Sequence, residues 1–111
     1  MIIDKGGEIF FALKNREVVG TCAVIPHKTD VVELAKLAVD SRIQGQGIGR
    51  RLTQTVIDWA RERKCKKVIL VSSTKLKQAL HLYERLGFLY GLLLDDICYE
   101  TADIYMELTF N

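Results

Sequence analysis

The spacing of hydrophobic positions changes several times along the chain. Glu8 to Lys14 (Glu-Ile-Phe-Phe-Ala-Leu-Lys) and Glu17 to Ile25 (Glu-Val-Val-Gly-Thr-Cys-Ala-Val-Ile) are rich in aromatic and aliphatic residues, and with the turn at Asn15-Arg16 they predict a β-hairpin. Pro26 is expected to end the second strand, with a polar connection running to Asp30. Val31 to Val39 is apolar at nearly every position except Glu33 and Lys36, which predicts a central strand covered on both faces. Helical spacing then takes over. Ile48, Leu52, Val56, Trp59 and Ala60 share one stripe, opposite Arg50, Arg51, Gln54, Asp58 and Arg61, so a helix is predicted from about Gly47 to Lys64. Lys67 to Ser73 is a short β-branched strand, and Leu76, Ala79, Leu80, Tyr83 and Leu86 form a second helical stripe that stops at Gly87. Phe88 to Leu94 and Ala102 to Phe110 read as two last strands, joined by an acidic loop with Asp95 and Asp96. The order β-β-β-α-β-α-β-β describes a mixed α/β fold, a mostly antiparallel sheet with helices packed on it.

Composition narrows this further. The 111 residues make a single domain, 1–111, and 49% apolar with 27% charged residues is globular rather than disordered composition. No apolar run approaches the roughly 20 residues of a membrane span, and Met1 to Gly7 has neither the basic start nor the apolar stretch of a signal peptide. The expectation is a cytoplasmic protein with no membrane partner. Cys22, Cys65 and Cys98 lie far apart with no CxxC and no His-Cys cluster, so neither a metal site nor a disulfide framework is expected. The two histidines, His27 and His81, read as structural. A net charge of +2 argues against a nucleic-acid partner. The charge is unevenly placed, however. Residues 42–67 carry eight basic and two acidic residues, whereas residues 78–111 carry one basic and six acidic ones. One part suits an anion and the other a cation.

The anion has an obvious seat in Arg42-Ile43-Gln44-Gly45-Gln46-Gly47-Ile48-Gly49-Arg50-Arg51, between the buried strand and the amphipathic helix. Alternate glycines let a ligand approach the backbone closely. Their amides sit at a helix N-terminus, where the dipole and the unpaired N–H groups favour a pyrophosphate. A Walker A loop fails because Arg50, not Lys, follows Gly49. The dinucleotide fingerprint fails because the run is GxGxG and the next strand ends without an acidic residue.

The stretch resembles the acyl-CoA loop of the GCN5-related N-acetyltransferase (GNAT) superfamily, [QR]-x-x-G-x-[GA], filled here by Gln44, Gly47 and Gly49. Ala79-Leu80-His81-Leu82-Tyr83-Glu84-Arg85-Leu86-Gly87-Phe88 resembles the family's A-x-x-L-Y-x-x-x-G-F helix ending. The resemblance spans residues 8–110 and implies the GNAT fold and acetyl transfer from acetyl-CoA to an amine of a small molecule or peptide. It implies cofactor contacts from the backbone of Leu37, Ala38 and Val39 and from Gln44, Gly45, Gln46, Gly47, Ile48, Gly49 and Arg50. It also implies a strand bulge that aims an N–H at the thioester carbonyl, expected near Ala38.

The same resemblance makes Tyr83 the candidate proton donor to the departing thiolate, against its reading as a core residue of the helical stripe. Glu33 lies eleven residues before Gln44, where the histone acetyltransferase branch places its glutamate, and is the candidate base. A surface glutamate at a strand edge, or a water chain in its place, stays open. Two departures stand out. Leu76 occupies a position where the family commonly has asparagine, and the chain is expected to begin at the hairpin, lacking the strand and two helices that usually precede it. That short form leaves an unpaired edge, which suggests a homodimer. It also admits a second reading, a non-catalytic acyl-CoA-binding sensor or subunit.

Overall fold

Asn15 and Arg16 both adopt positive φ, 52° and 68°, which is what a two-residue turn needs if its twist is to match the strands it joins. That hairpin is the start of the sheet's meander. The computed structural model of the chain describes residues 2–6, 9–28, 30–91 and 103–110. Its strands are β1 (Ile2–Gly6), β2 (Ile9–Lys14), β3 (Glu17–Lys28), β4 (Val31–Val39), β5 (Lys67–Ser72), β6 (Leu89–Gly91) and β7 (Ile104–Thr109). The helices are α1 (Ile48–Glu62) and α2 (Lys77–Arg85), with a 3-10 turn over Ser41–Ile43. The sheet order is β1-β2-β3-β4-β5-β7-β6, and only the β4–β5 pair is parallel. The mixed, mostly antiparallel architecture is therefore the expected one.

Three expectations are corrected. A strand precedes the hairpin: β1 pairs antiparallel with β2 from Ile2 opposite Leu13 to Gly6 opposite Ile9. The edge thought to be open on β2 is covered, and that argument for a dimer falls with it. Residues 7–8 alone separate β1 from β2, too few for helices between them. Second, Pro26 does not end its strand. β3 runs on to Lys28, with Pro26 opposite Val32 and the register shifting between Pro26 and Lys28. The shift makes His27 an extra residue in the ladder, a bulge, which is how a strand accommodates a proline that cannot donate. Third, Leu76 is exposed and does not join the apolar stripe of α2. Asp95, Asp96 and Cys98 lie outside the described residues.

One core joins the sheet to both helices. Phe10, Ala12, Cys22, Val24, Leu34, Val68 and Leu70 pack with Ile48, Leu52, Val56 and Ala60 of α1 and with Tyr83 of α2. Trp59 sits edge-on to Phe10, and the Arg63 guanidinium lies over its ring at 4.4 Å. The start of α1 presses hardest on the sheet at Gly20. A Cβ there would lie 2.9 Å from Ile48 Cγ2, 3.0 Å from Leu52 Cδ1 and 3.3 Å from the Ala38 carbonyl oxygen. Gly20→Ala should therefore cost about 1–3 kcal/mol despite the better strand propensity of alanine, read as a lower urea midpoint with an unchanged slope.

Candidate active site

β4 and β5 run side by side for only three residue pairs, Val31 with Lys67, Val32 with Val68 and Glu33 with Ile69. Beyond them β4 keeps β3 as a neighbour and β5 keeps β7, and the two diverge. A cleft of about 890 Å³ opens there, lined among others by Ile25, Glu33, Leu37, Val71, Tyr83 and Asp103. Its depth comes from strand topology, since no backbone ladder fills the gap.

On one wall, β4 carries a bulge. Ala23 faces Ala35 and Thr21 faces Ala38, so Lys36 and Leu37 together oppose Cys22. Lys36 takes φ 53°, and the ladder loses one residue here. The irregularity expected near Ala38 thus falls at Lys36 and Leu37. After β4 the chain turns through Asp40, whose carboxylate accepts from the Arg42 backbone N–H at 2.9 Å and from its guanidinium at 2.7 Å. Those bonds hold the Asp40 carboxyl down at about 2.

The glycine turn follows. Gly45 and Gly47 have φ 86° and 77°, and Gly47 is the N-cap of α1. A Cβ on either would meet nothing within 4 Å, so the space above the turn is open. Gly49 differs: its Cβ would rest at 3.6 Å from Leu82, 3.7 Å from Val39 and 3.9 Å from Leu37. That seats the helix N-terminus against both α2 and the cleft wall. Arg50 and Arg51 are exposed on the first turn, which carries no acidic residue. Lys14 donates to Gln46 Oε1 at 3.0 Å, tying the loop to the hairpin turn.

The other motif has a physical explanation. Gly87 N–H donates to the Glu84 carbonyl at 3.1 Å, and Phe88 N–H donates to the Tyr83 carbonyl at 3.0 Å. With Gly87 at φ 99°, this is a Schellman ending of α2, closed by the usual apolar contact, here the Tyr83 and Phe88 rings at 5.8 Å. The tyrosine, glycine and phenylalanine are therefore one capping device, and it turns Tyr83 into the cleft. Tyr83 is only 6% exposed. Burial, helped by the neighbouring Cys22, pushes its hydroxyl up to about 12. Cys22 is itself raised to about 11 by burial, so it stays a thiol and is no nucleophile at neutral pH.

Glu33 is not a surface residue. It is 2% exposed, lies opposite Ile25 on β3, and its Oε1 is 2.5 Å from His27 Nε2. The far wall is braced by Asp103, which accepts from the Thr74 N–H and hydroxyl, both at 2.9 Å. Glu33, Leu37 and Tyr83 thus share the cleft, Val39 stands beside it against Gly49, and Gln44 to Arg50 form the turn at the α1 N-terminus. His27 and Asp103 were missed by sequence reasoning. Pro26 hid the first by suggesting a loop, and the second carries no motif. His81 is exposed, 3.8 Å from Glu84. Among the described residues no cluster of His, Cys, Asp or Glu could hold a metal, and no helix is long and apolar enough to cross a membrane.

The chain is similar to known proteins in sequence and in fold. The chain is 36% identical over 90 residues to N-acetyltransferase 8B of Rattus norvegicus, covering 77% of this chain and 40% of that protein. It is 39% identical over 85 residues to N-acetylaspartate synthetase of Homo sapiens, covering 75% of this chain and 28% of that one. The chain thus spans about two-fifths or less of these relatives. A GNAT acetyltransferase from Elizabethkingia anophelis, crystallised with acetyl-CoA bound, superposes with a TM-score of 0.80 at 23% identity, over 92% of this chain and 75% of that one. Residues 2–88 match the profile of the Acetyltransferase (GNAT) family. With the splayed strands, the glycine turn and the capped tyrosine in one chain, the protein belongs to the GNAT acetyltransferase family.

Proposed function

We propose that the protein is an N-acetyltransferase that moves an acetyl group directly from acetyl-CoA to the amine of a small molecule or peptide. The observation that carries this is the convergence of Glu33, the β4 bulge and Tyr83 on one cleft whose wall abuts the α1 N-terminus. The chain fits the cofactor. The open space above Gly45 and Gly47 gives phosphate oxygens access to backbone amides at a helix N-terminus, with Arg50 and Arg51 nearby. The backbone of Leu37, Ala38 and Val39 would hold the arm, and the loop from Gln44 to Arg50 the pyrophosphate. Acetyl-CoA, when bound, supplies an activated thioester.

The remaining work falls to this chain's own groups. The bulge at Lys36 and Leu37 would turn a backbone N–H out of the ladder as a donor for a carbonyl oxygen. Glu33 accepts the proton that an amine must lose before it can attack. Tyr83 Oη holds its proton throughout the neutral range and can deliver it within the cleft. A buried carboxylate and a buried phenol lining one cleft favour catalysis over passive binding of acyl-CoA.

The test is release of free thiol from acetyl-CoA across a panel of amines, aspartate included because a relative's name points to it. At least one amine should give turnover well above hydrolysis. Tight cofactor binding with no turnover for any amine would overturn the reading.

A further inference from the structure

The buried base is not alone. His27 occupies the bulge that carries β3 past Pro26, and bulges characteristically re-aim a side chain. Here the imidazole is turned onto Glu33, with Nε2 at 2.5 Å from Oε1. The exposures of the two side chains differ sharply, 3% for Glu33 and 32% for His27. Glu33 lines the cleft and His27 is open to solvent. Without the bulge, strand alternation would place His27 in step with β4 instead of between Pro26 and Lys28.

We infer that His27 is the positioning residue of the base, holding Glu33 toward the cleft and passing the proton that Glu33 takes from the amine out to water. This rests on the acetyltransferase reading above. The proton balance is simple. The ammonium N–H bond breaks and the Glu33 carboxylate takes the proton. The proton is shared across the Oε1–Nε2 contact, and the exposed imidazole returns one proton to water, so the pair ends each cycle as it began. A carboxylate this buried needs such an outlet, because a proton left on it would block the next turnover.

The other titratable groups are accounted for among the described residues. Lys36, Lys75, Asp103 and Tyr83 line the same cleft. Asp103 is engaged by Thr74. Lys67 on β5 is paired with Glu107 at 3.0 Å, and Asp30, ahead of β4, with Lys66 at 3.3 Å. None of these bonds to either member of the pair, which leaves Glu33 and His27 as each other's partner.

The experiment is the pH dependence of kcat/KM for parent and His27→Gln. Gln keeps a donor for Glu33 but cannot titrate or pass a proton. Its kcat/KM near neutral pH should fall roughly tenfold, part of the usual contribution of general base catalysis. Its acidic limb should move, and the deficit should shrink at alkaline pH, where the amine arrives already neutral. Independently of activity, the NMR signals of the His27 ring should shift in Glu33→Gln, which changes the group that Nε2 touches. A pH profile for His27→Gln that superimposes on the parent's overturns the inference while leaving the acetyltransferase reading intact. Unchanged His27 ring signals in Glu33→Gln do the same. A parent inactive with every amine overturns both.

Discussion

Tyr83→Phe should fold like the parent and turn over about a hundredfold more slowly, with KM for acetyl-CoA little changed. The ring stays, so the capping contact with Phe88 and the packing against the core survive. Only the Oη and its proton leave. Because burial holds that proton up to about 12, the hydroxyl is a donor at every neutral pH. The loss should therefore be flat across the neutral range, unlike the pH-dependent loss expected of the base. Stability runs the other way with pH. A phenol raised from 10 to about 12 supports folding below pH 10 without penalty, and that support is lost as pH rises through the folded value. Equal kcat in the two proteins would return Tyr83 to a purely structural part in the helix ending.

Gly47→Val should cost about a hundredfold or more in affinity for CoA. Losing one or two hydrogen bonds to a charged group, at roughly 1.5–3 kcal/mol each, produces that factor. The parent conformation, φ 77°, is one that a β-branched residue resists, and the new methyls would enter the open space where phosphates approach. Gly49→Ala is the matched control. Gly49 lies in the first turn of α1 with an ordinary helical φ, and its added Cβ would meet Leu82, Val39 and Leu37 at ordinary contact distances, so this variant should fold and bind CoA like the parent. Calorimetry with CoA on both variants decides the matter. Undiminished binding by Gly47→Val would place the phosphates elsewhere.

Much of this protein was legible in its sequence because periodicity and turn chemistry carried it. The stripe Ile48, Leu52, Val56 and Ala60 is buried as its spacing demands, and Gly87 ends α2 where a left-handed residue is needed. Where reading failed, a local rule lost to tertiary pairing. Pro26 ordinarily closes a strand, yet the β4 ladder carries it through by spending a bulge on His27. Ile2 and Ile3 showed no periodic pattern of use, because five residues are too few to reveal one, and only the β2 edge gives them a place. The spacing to Gln44 made Glu33 a candidate base but left a surface position at a strand edge open. Its burial and its partner depend on residues six apart that a bulge brings together, which no spacing rule encodes.

The short parallel contact between β4 and β5 also shapes how the molecule comes apart. Among the described residues, three residue pairs and the bonds from the Lys66 and Lys67 N–H groups to the Asp30 carbonyl make the backbone seam between a four-stranded half, β1 to β4, and a three-stranded half, β5 to β7. In most sheets the margins fray first and the middle holds. Here a ladder as short as the one that holds β6 at the rim also runs down the centre, and α1, which touches β2, β3, β4 and β5, is the strap across it. Partial opening should therefore part the two halves as units as well as release β6 from the rim. A molecule lodged in the cleft bridges both halves, so occupancy would close the fault line and slow exchange of amides far from any contact, on strands the ligand never reaches.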